Sequence, residues 1–162
     1  MAYILDANVF IDAKKKYYDL GVCPAFWDWL IQQGGAGRVF SIEQVREELM
    51  QGTDELADWA KGHEELFMKL EDSDLGMMNE IFKWVQGQGF VSKAIDRFRN
   101  KPADCSLIAY SKTHDHILVT HETFSDTKKR VKIPTVCTAM GVKFTDPFEM
   151  LRRERPRFVL EN

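Results

Sequence analysis

The N-terminal segment 3–12, with the sequence YILDANVFID, decides how this chain is organised. It begins with a short apolar run that is long enough for a buried strand and too short for an ordinary helix. The run ends at Asp6, and a carboxylate beside a buried strand is costly unless something neutralises it. Because open α/β sheets bind ligands beyond the carboxyl ends of their strands, Asp6 is a candidate site residue. The alternative is that Asp6 begins a turn or caps the next helix.

The composition indicates one globular domain. The chain has 162 residues, of which 44% are hydrophobic, and it contains four Trp, which argues against disorder. No apolar run approaches the ~20 residues of a membrane span, and Asp6 interrupts the layout of a signal peptide. The three cysteines are widely spaced and form no zinc motif, which favours a reducing, cytoplasmic location.

Charge gives a weaker indication of the partner. The net charge of -3 is not the basic balance that is typical of nucleic-acid binders. Two basic clusters nevertheless follow candidate site acids, and each is either a solvated surface run or a set of phosphate contacts. Their members are Lys14, Lys15 and Lys16, and Lys128, Lys129 and Arg130.

Strands and helices are predicted to alternate along most of the chain. Helices are predicted at 24–35 and 43–51, from Pro102, near 138–140 and from Pro147. Further strands are predicted at 38–42, 116–120 and 141–145. Such alternation predicts a parallel sheet.

Residues 53–99 break this alternation, because they are predicted to form three helices and no strand. The first helix would carry its apolar stripe through Phe67 to Leu70. His63 lies on that stripe and is interpreted as a partly buried histidine with a hydrogen-bond partner, rather than a ligand. The whole chain would then be a single domain, with residues 53–99 as a helical insertion or cap over one sheet edge.

Four acids occupy related positions in this scheme. Asp6 and Glu122 follow apolar strands, and Glu48 lies at the core-facing edge of a helix. Asp104 lies in a first helical turn, where an acid also stabilises the helix dipole by ~0.3–1 kcal/mol. Parallel strands would bring the four together, and clustered carboxylates repel one another unless a cation such as Mg²⁺ is bound. A divalent ion among carboxylates is suited to phosphodiester hydrolysis.

Four segments in order along the chain resemble the motifs of PIN-domain nucleases. Each motif is weak alone, whereas the ordered set is fairly specific. The closest likeness is to PIN proteins of the VapC-like toxin type, and it includes an FWDW helix and a VKIP segment. The four segments are LDANVFI at 5–11, ELMQG at 48–52, ADCSLIA at 103–109 and LVTHETF at 118–124.

The resemblance implies a three-layer α/β/α fold around a central parallel sheet, and Mg²⁺- or Mn²⁺-dependent ribonuclease activity. It also implies a toxin that is neutralised by a cognate antitoxin protein, often as a homodimer. The implied acidic set is Asp6, Glu48, Asp104 and Glu122, with Asn8 and Thr120 orienting ligands or water.

One departure from the PIN pattern concerns the fourth motif, which usually ends in Asp and here ends in Glu122. Because Glu122 has one more methylene group than Asp, three alternatives stay open: it contacts the metal directly, through a water molecule, or not at all. Asp126 is a less favoured substitute for Glu122. A weakened site would favour a non-catalytic RNA- or protein-binding module. A phosphatase with Asp6 as nucleophile is disfavoured, because Asn8 stands where a general acid is usually needed.

Overall fold

The central sheet holds short strands that all run parallel in the computed structural model, which describes residues 1–161. The strand order is β3-β2-β1-β4-β5, and each neighbouring pair is parallel. The strands are β1 (Tyr3–Leu5), β2 (Val39–Ile42), β3 (Phe67–Met68), β4 (Ile117–Val119) and β5 (Phe144–Thr145).

Helices connect the strands and cover the sheet. Four of them begin at or next to a proline, which suits a first helical position. The helices are α1 (Ala7–Asp12), α2 (Pro24–Gly35), α3 (Glu43–Met50), α4 (Glu55–Gly62), α5 (Asp72–Gln86), α6 (Ser92–Asn100), α7 (Pro102–Thr113), α8 (Ile133–Met140) and α9 (Pro147–Glu154).

The sheet is buried on both faces. Every residue of β1 and β2 is buried, which requires cover from two sides. Helix α2 packs on β2, while α7 contacts β2 and β4 and is itself surrounded by α5, α6 and α8. The predicted three-layer α/β/α architecture with a parallel sheet is therefore confirmed.

The strand order places the first strand at a decisive point. The chain moves outward from β1 to β2 and β3, and it then returns to the other side of β1 to form β4 and β5. The direction of winding thus reverses between β1 and β4. In open α/β sheets, ligands bind in the crevice beyond the carboxyl ends of the strands at this reversal.

The prediction for residues 53–70 was wrong in one respect, because this part does not form one long helix. Helix α4 ends at Gly62, a 3₁₀ turn covers Glu64–Leu66, and Phe67 and Met68 form the edge strand β3. Short apolar runs suit helix and strand alike, and pairing with Ser41 and Ile42 of β2 decides the outcome here. His63 lies at the end of α4, half-buried, with Nδ1 3.2 Å from a Glu65 carboxylate oxygen.

Smaller differences concern element ends. Helix α8 begins at Ile133, earlier than the predicted 138–140, with Pro134 in its first turn. The segment Ala13–Tyr17 is a π-helical turn that continues directly from α1. Within residues 1–161, no helix is long and apolar enough to cross a membrane.

Candidate active site

Asp6 and Thr120 meet at the point where the sheet reverses its winding. Leu5 pairs with Val119 in the parallel register, so the next residue of each strand lies side by side. The backbone N–H of Asp6 donates to the Val119 carbonyl at 2.9 Å, and the Thr120 hydroxyl donates to Asp6 Oδ2 at 3.0 Å. The sheet register therefore fixes the direction of the Asp6 carboxylate.

Three further acids reach the same place from different elements. Glu48 comes from the last turn of α3, Asp104 from the first turn of α7, and Glu122 from the segment after β4. All of them line one cavity of about 300 Å³ together with Asp6. The structure thus brings the four predicted acids to a single cavity beyond the carboxyl ends of β1 and β4.

Two acids of this cavity, the buried Asp6 and the half-buried Asp104, have raised pKa values. Asp6 is 4% exposed, and burial raises its pKa to about 6, although the hydrogen bond from Thr120 opposes the shift. Burial, together with the charges of Asp6, Glu122 and Glu48, raises the pKa of Asp104 to about 7. The carboxylates are therefore close enough to destabilise one another's charged form.

Glu122 differs from the other acids because the chain itself balances its charge. One of its oxygens lies 2.7 Å from a guanidinium nitrogen of Arg130. The other accepts a hydrogen bond at 2.8 Å from the backbone N–H of Ile133, the first residue of α8. An anion is favoured at a helix N-terminus, so Glu122 is held in place without a metal ion.

The two residues predicted to orient ligands have different surroundings. Thr120 is buried and bridges two acids, since its Oγ1 donates to Asp6 and accepts from the backbone N–H of Glu122 at 3.1 Å. These hydrogen bonds fix the Asp6 carboxylate, whereas the role of Thr120 in orienting a metal ligand or water stays a prediction. Asn8 is exposed on the cavity wall, and its orienting role stays a prediction.

Most of the basic residues in the two sequence clusters already have partners. Lys14 lies 3.1 Å from Asp54, and Lys16 lies 3.5 Å from Asp12. Lys128 lies over the ring of Phe90, 4.9 Å from its centroid. Lys15 and Lys129 are exposed, and Arg130 is the one member of either cluster that lines the described cavity.

Two cations at the cavity were missed by the sequence analysis. Arg97 from the last turn of α6 and Lys101 from the link to α7 both line it. Arg97 and Lys101 are four residues apart, and Lys101 lies three residues before Asp104. Two cations at this spacing just before the third acidic motif are the feature of the sequence that could have indicated them. Asp126, the suggested substitute for Glu122, is exposed and is absent from the described lining.

The chemistry of the donor set fits a hard divalent cation. The cavity offers carboxylate oxygens from several elements, and the raised pKa values of Asp6 and Asp104 mean that a cation would relieve their repulsion. No three His, Cys, Asp or Glu residues within 1–161 are grouped closely enough to hold a metal on their own. Mg²⁺ needs fewer, because it commonly takes one or two carboxylates and keeps several waters.

Comparison with known proteins supports the fold. A chain of the crystal structure of VapBC2 from Rickettsia felis, bound to a DNA fragment from their promoter, superposes with a TM-score of 0.54. The match covers 90% of this chain and 98% of that chain at 14% sequence identity, so it shows a shared PIN-like fold.

The sequence also matches a family model, although it has no match among curated proteins. The model is described as Domain of unknown function (DUF4411), and it covers residues 3–158. That match extends over nearly the whole chain and includes all four acids of the cavity. The chain therefore belongs to the family described as Domain of unknown function (DUF4411).

Proposed function

We propose that this protein is a Mg²⁺- or Mn²⁺-dependent endoribonuclease that hydrolyses RNA phosphodiesters. The observation that carries the proposal is the convergence of Asp6, Glu48, Asp104 and Glu122 on one cavity at the winding reversal of the sheet. Acids that raise one another's pKa values prepare a place for a cation. The PIN-like fold and the ordered sequence motifs support the same conclusion.

Asp6 and Asp104 are the candidate direct ligands, with Glu48 as a third carboxylate that lines the cavity. When bound, a divalent ion supplies Lewis-acid chemistry, since it lowers the pKa of a water molecule and stabilises charge on phosphate oxygens. Thr120 holds the Asp6 carboxylate in position. In the metal-free protein, the pKa values of about 6 for Asp6 and about 7 for Asp104 mean that protons compete with the ion for these oxygens near neutral pH.

The cations of the cavity explain how an acidic site could accept an anionic substrate. Arg97, Lys101 and Arg130 line the wall beside the four acids. Guanidinium and ammonium groups bind phosphate oxygens, and a fork such as that of arginine can contact two oxygens at once. We infer that these three residues hold the phosphates that flank the scissile bond.

We further infer that the protein is the toxin of a toxin–antitoxin pair, with a cognate antitoxin protein as partner. The support is the motif resemblance to VapC-like toxins and the fold shared with the VapBC2 chain. A homodimer is proposed on the same resemblance. Co-expression with the product of an adjacent gene, followed by co-purification and RNA cleavage, tests this pairing.

Asp104→Asn is the variant that tests ribonuclease activity. We expect cleavage of single-stranded RNA with Mn²⁺ to fall by more than about 100-fold, because even residues that merely orient metal ligands contribute about 10- to 100-fold. EDTA should abolish cleavage by the unmodified protein. The measurement is the initial rate on a labelled oligonucleotide.

Asp28→Asn is the matched control, because it removes the same charge from an exposed position on α2. It should cleave at the unmodified rate. Cleavage that survives both EDTA and Asp104→Asn would belong to another mechanism or to a contaminant. Full RNA binding without cleavage would instead favour the second candidate.

The second candidate is a non-catalytic RNA- or protein-binding module. The observation that favours it is that both oxygens of Glu122 are occupied by Arg130 and Ile133. Titration calorimetry with Mn²⁺ separates the candidates. A nuclease should bind the ion through Asp6 and Asp104, so Asp104→Asn should abolish the heat of binding, whereas a binding module should show no carboxylate-dependent heat.

A further inference from the structure

Tyr17 is an aromatic side chain exposed near the candidate site. It ends the π-helical turn 13–17, and 47% of its surface is exposed. Its ring stacks on His121 with centroids 6.0 Å apart, and it meets Phe148 edge-to-face at 5.0 Å. The ring is therefore fixed in orientation by two neighbours while nearly half of the residue faces solvent.

Tyr17 and its neighbour His121 belong to segments that also carry residues of the candidate site. His121 immediately precedes Glu122, and it follows Thr120, which holds Asp6. The π-helical turn that carries Tyr17 continues directly from α1, the helix that begins after Asp6. A π-helical turn is rare and frequently occurs at functional sites.

Lysine side chains lie beside both Tyr17 and Glu48 of the acidic cavity. Lys15 and Lys16 directly precede Tyr17, and both are exposed. Lys14 and Lys15 also line a smaller cavity of about 160 Å³ whose wall includes Glu48. Glu48 lines the main cavity as well, so the cavity beside these lysines and the cavity of the four acids share the Glu48 side chain.

We propose that Tyr17, supported by His121 and Phe148, stacks on a base of single-stranded RNA whose phosphates pass Lys15 and Lys16 toward the acidic cavity. This proposal rests on the proposed function and names the form of its substrate. Sequence-tolerant recognition of single strands combines aromatic platforms with cations that follow the backbone. A base inside a duplex is already stacked, so an exposed ring of this kind selects unpaired RNA.

Two substitutions at Tyr17 test the proposal. Tyr17→Phe keeps the aromatic face, whereas Tyr17→Leu keeps apolar bulk against His121 and Phe148 but removes that face. The probe is a fluorescently labelled 12-nucleotide single-stranded RNA, and binding is measured by anisotropy in EDTA. Tyr17→Leu should weaken binding about 5- to 150-fold, as for loss of one base–aromatic stack, while Tyr17→Phe should bind like the unmodified protein.

The controls separate stacking from charge and from general damage. Phe144→Leu removes a partly exposed ring from the edge strand β5 and should leave binding unchanged. Replacing Lys15 and Lys16 by alanine should lower the slope of log affinity against log salt by about 0.7 for each lost phosphate contact. Tyr17→Leu should leave that slope unchanged, and a duplex of the same sequence should bind weakly and be insensitive to Tyr17.

Several results would overturn the proposal. They are equal binding by Tyr17→Leu and the unmodified protein, equal affinity for duplex and single strand, or failure of the unmodified protein to bind the RNA. A shift from dimer to monomer on size exclusion of Tyr17→Leu would assign the surface to self-association instead. Because EDTA removes metal-dependent cleavage, Tyr17-dependent binding without later cleavage in Mn²⁺ would refute the proposed function and leave the stacking platform intact.

Discussion

Asp6 and Asp74 are both buried aspartates, 4% and 0% exposed, but their surroundings are opposite. Asp74 accepts hydrogen bonds from the backbone N–H of Glu71 at 2.8 Å and from the Thr113 hydroxyl, and His114 Nε2 lies 3.3 Å away. Asp6 accepts from Thr120 and from the following backbone, yet it faces other carboxylates. Asp74 is therefore surrounded by hydrogen-bond donors, whereas Asp6 faces other carboxylates.

This difference separates a structural acid from a candidate site acid. Asp74 caps α5 and ties it to the end of α7, so its hydrogen bonds are part of the folded state. The buried carboxylate of Asp6 is unfavourable in its charged form. Ionisable groups of this kind are concentrated at sites where they bind a ligand or take part in a reaction. Burial alone does not distinguish the two, whereas the identity of the neighbouring groups does.

The largest expected effect on stability is at Asp74. Asp74→Ala should lower the free energy of unfolding by about 3 kcal/mol, because the Glu71 N–H and His114 lose their acceptor and the Thr113 hydroxyl keeps only the Tyr110 carbonyl at 3.3 Å. Urea denaturation followed by tryptophan fluorescence measures the change. Asp72→Ala removes an exposed acid from the same helical turn and is the matched control.

Asp6→Asn should have the opposite sign at pH 8. The amide oxygen can still accept from Thr120, while the charge that burial disfavours is gone. The increase in pKa from 3.8 to about 6 corresponds to a stabilisation on the order of 3 kcal/mol as an upper bound. A loss of stability equal to that of Asp74→Ala would show that the two acids have the same structural role.

The pH dependence of stability gives a second way to distinguish the cavity acids. Folding raises the pKa of Asp6 from 3.8 to about 6 and that of Asp104 from 3.8 to about 7. At a pH between 3.8 and these raised values, the folded chain therefore binds more protons than the unfolded chain. Their contribution to stability is therefore full below 3.8 and is lost as the pH rises through 6 to 7. Melting curves of metal-free protein from pH 4 to pH 8 should show this decline.

Substitution and metal addition should both reduce the decline. The double variant Asp6→Asn, Asp104→Asn should have a flatter profile, and the two effects should be less than additive, because the groups are coupled. Mn²⁺ should raise the melting temperature more at pH 8 than at pH 6, since protons compete for the same oxygens. A profile that is unchanged by both treatments would contradict the proposed coupling.

Much of the fold could be predicted because its signals are local. The apolar runs before Asp6 and Glu122 end where β1 and β4 end, and prolines mark the starts of α2, α7 and α9. The alternation of strand and helix was sufficient for a parallel sheet. Strand β3 was missed, because its two residues are specified by pairing with β2 rather than by their own pattern.

The candidate site divides in the same manner. The four acids could be named because their positions after strands and in helices coincide with the four segments that resemble PIN-domain motifs. The partners of Glu122 could not be predicted, because they depend on how the segment after β4 folds back to α8. Arg97 and Lys101 were missed, because nothing in α6 alone shows which side faces the cavity.

Substitution of Arg130 should have the smallest effect of those considered, and it tests specifically how the charge of Glu122 is balanced. Its pair with Glu122 joins a guanidinium with 52% of its side chain exposed to a largely buried carboxylate, and it also lowers the pKa of Asp104. Arg130→Gln should therefore strengthen Mn²⁺ binding, because it removes a competing cation and frees one oxygen of Glu122. An exposed pair is worth about 0.2–1 kcal/mol, which predicts a gain of no more than about 5-fold.

The measurement is titration calorimetry with Mn²⁺, and Arg153→Gln is the matched control, since that residue pairs with Glu149 on α9. The RNA cleavage rate at low substrate should fall in Arg130→Gln even as the metal binds more tightly, because the same guanidinium is proposed to hold a phosphate. Weaker metal binding would instead mean that Arg130 positions Glu122 as a ligand. The surroundings of Glu122 would then resemble those of Asp74, which is held by hydrogen-bond donors, more than those of Asp6, which faces other carboxylates.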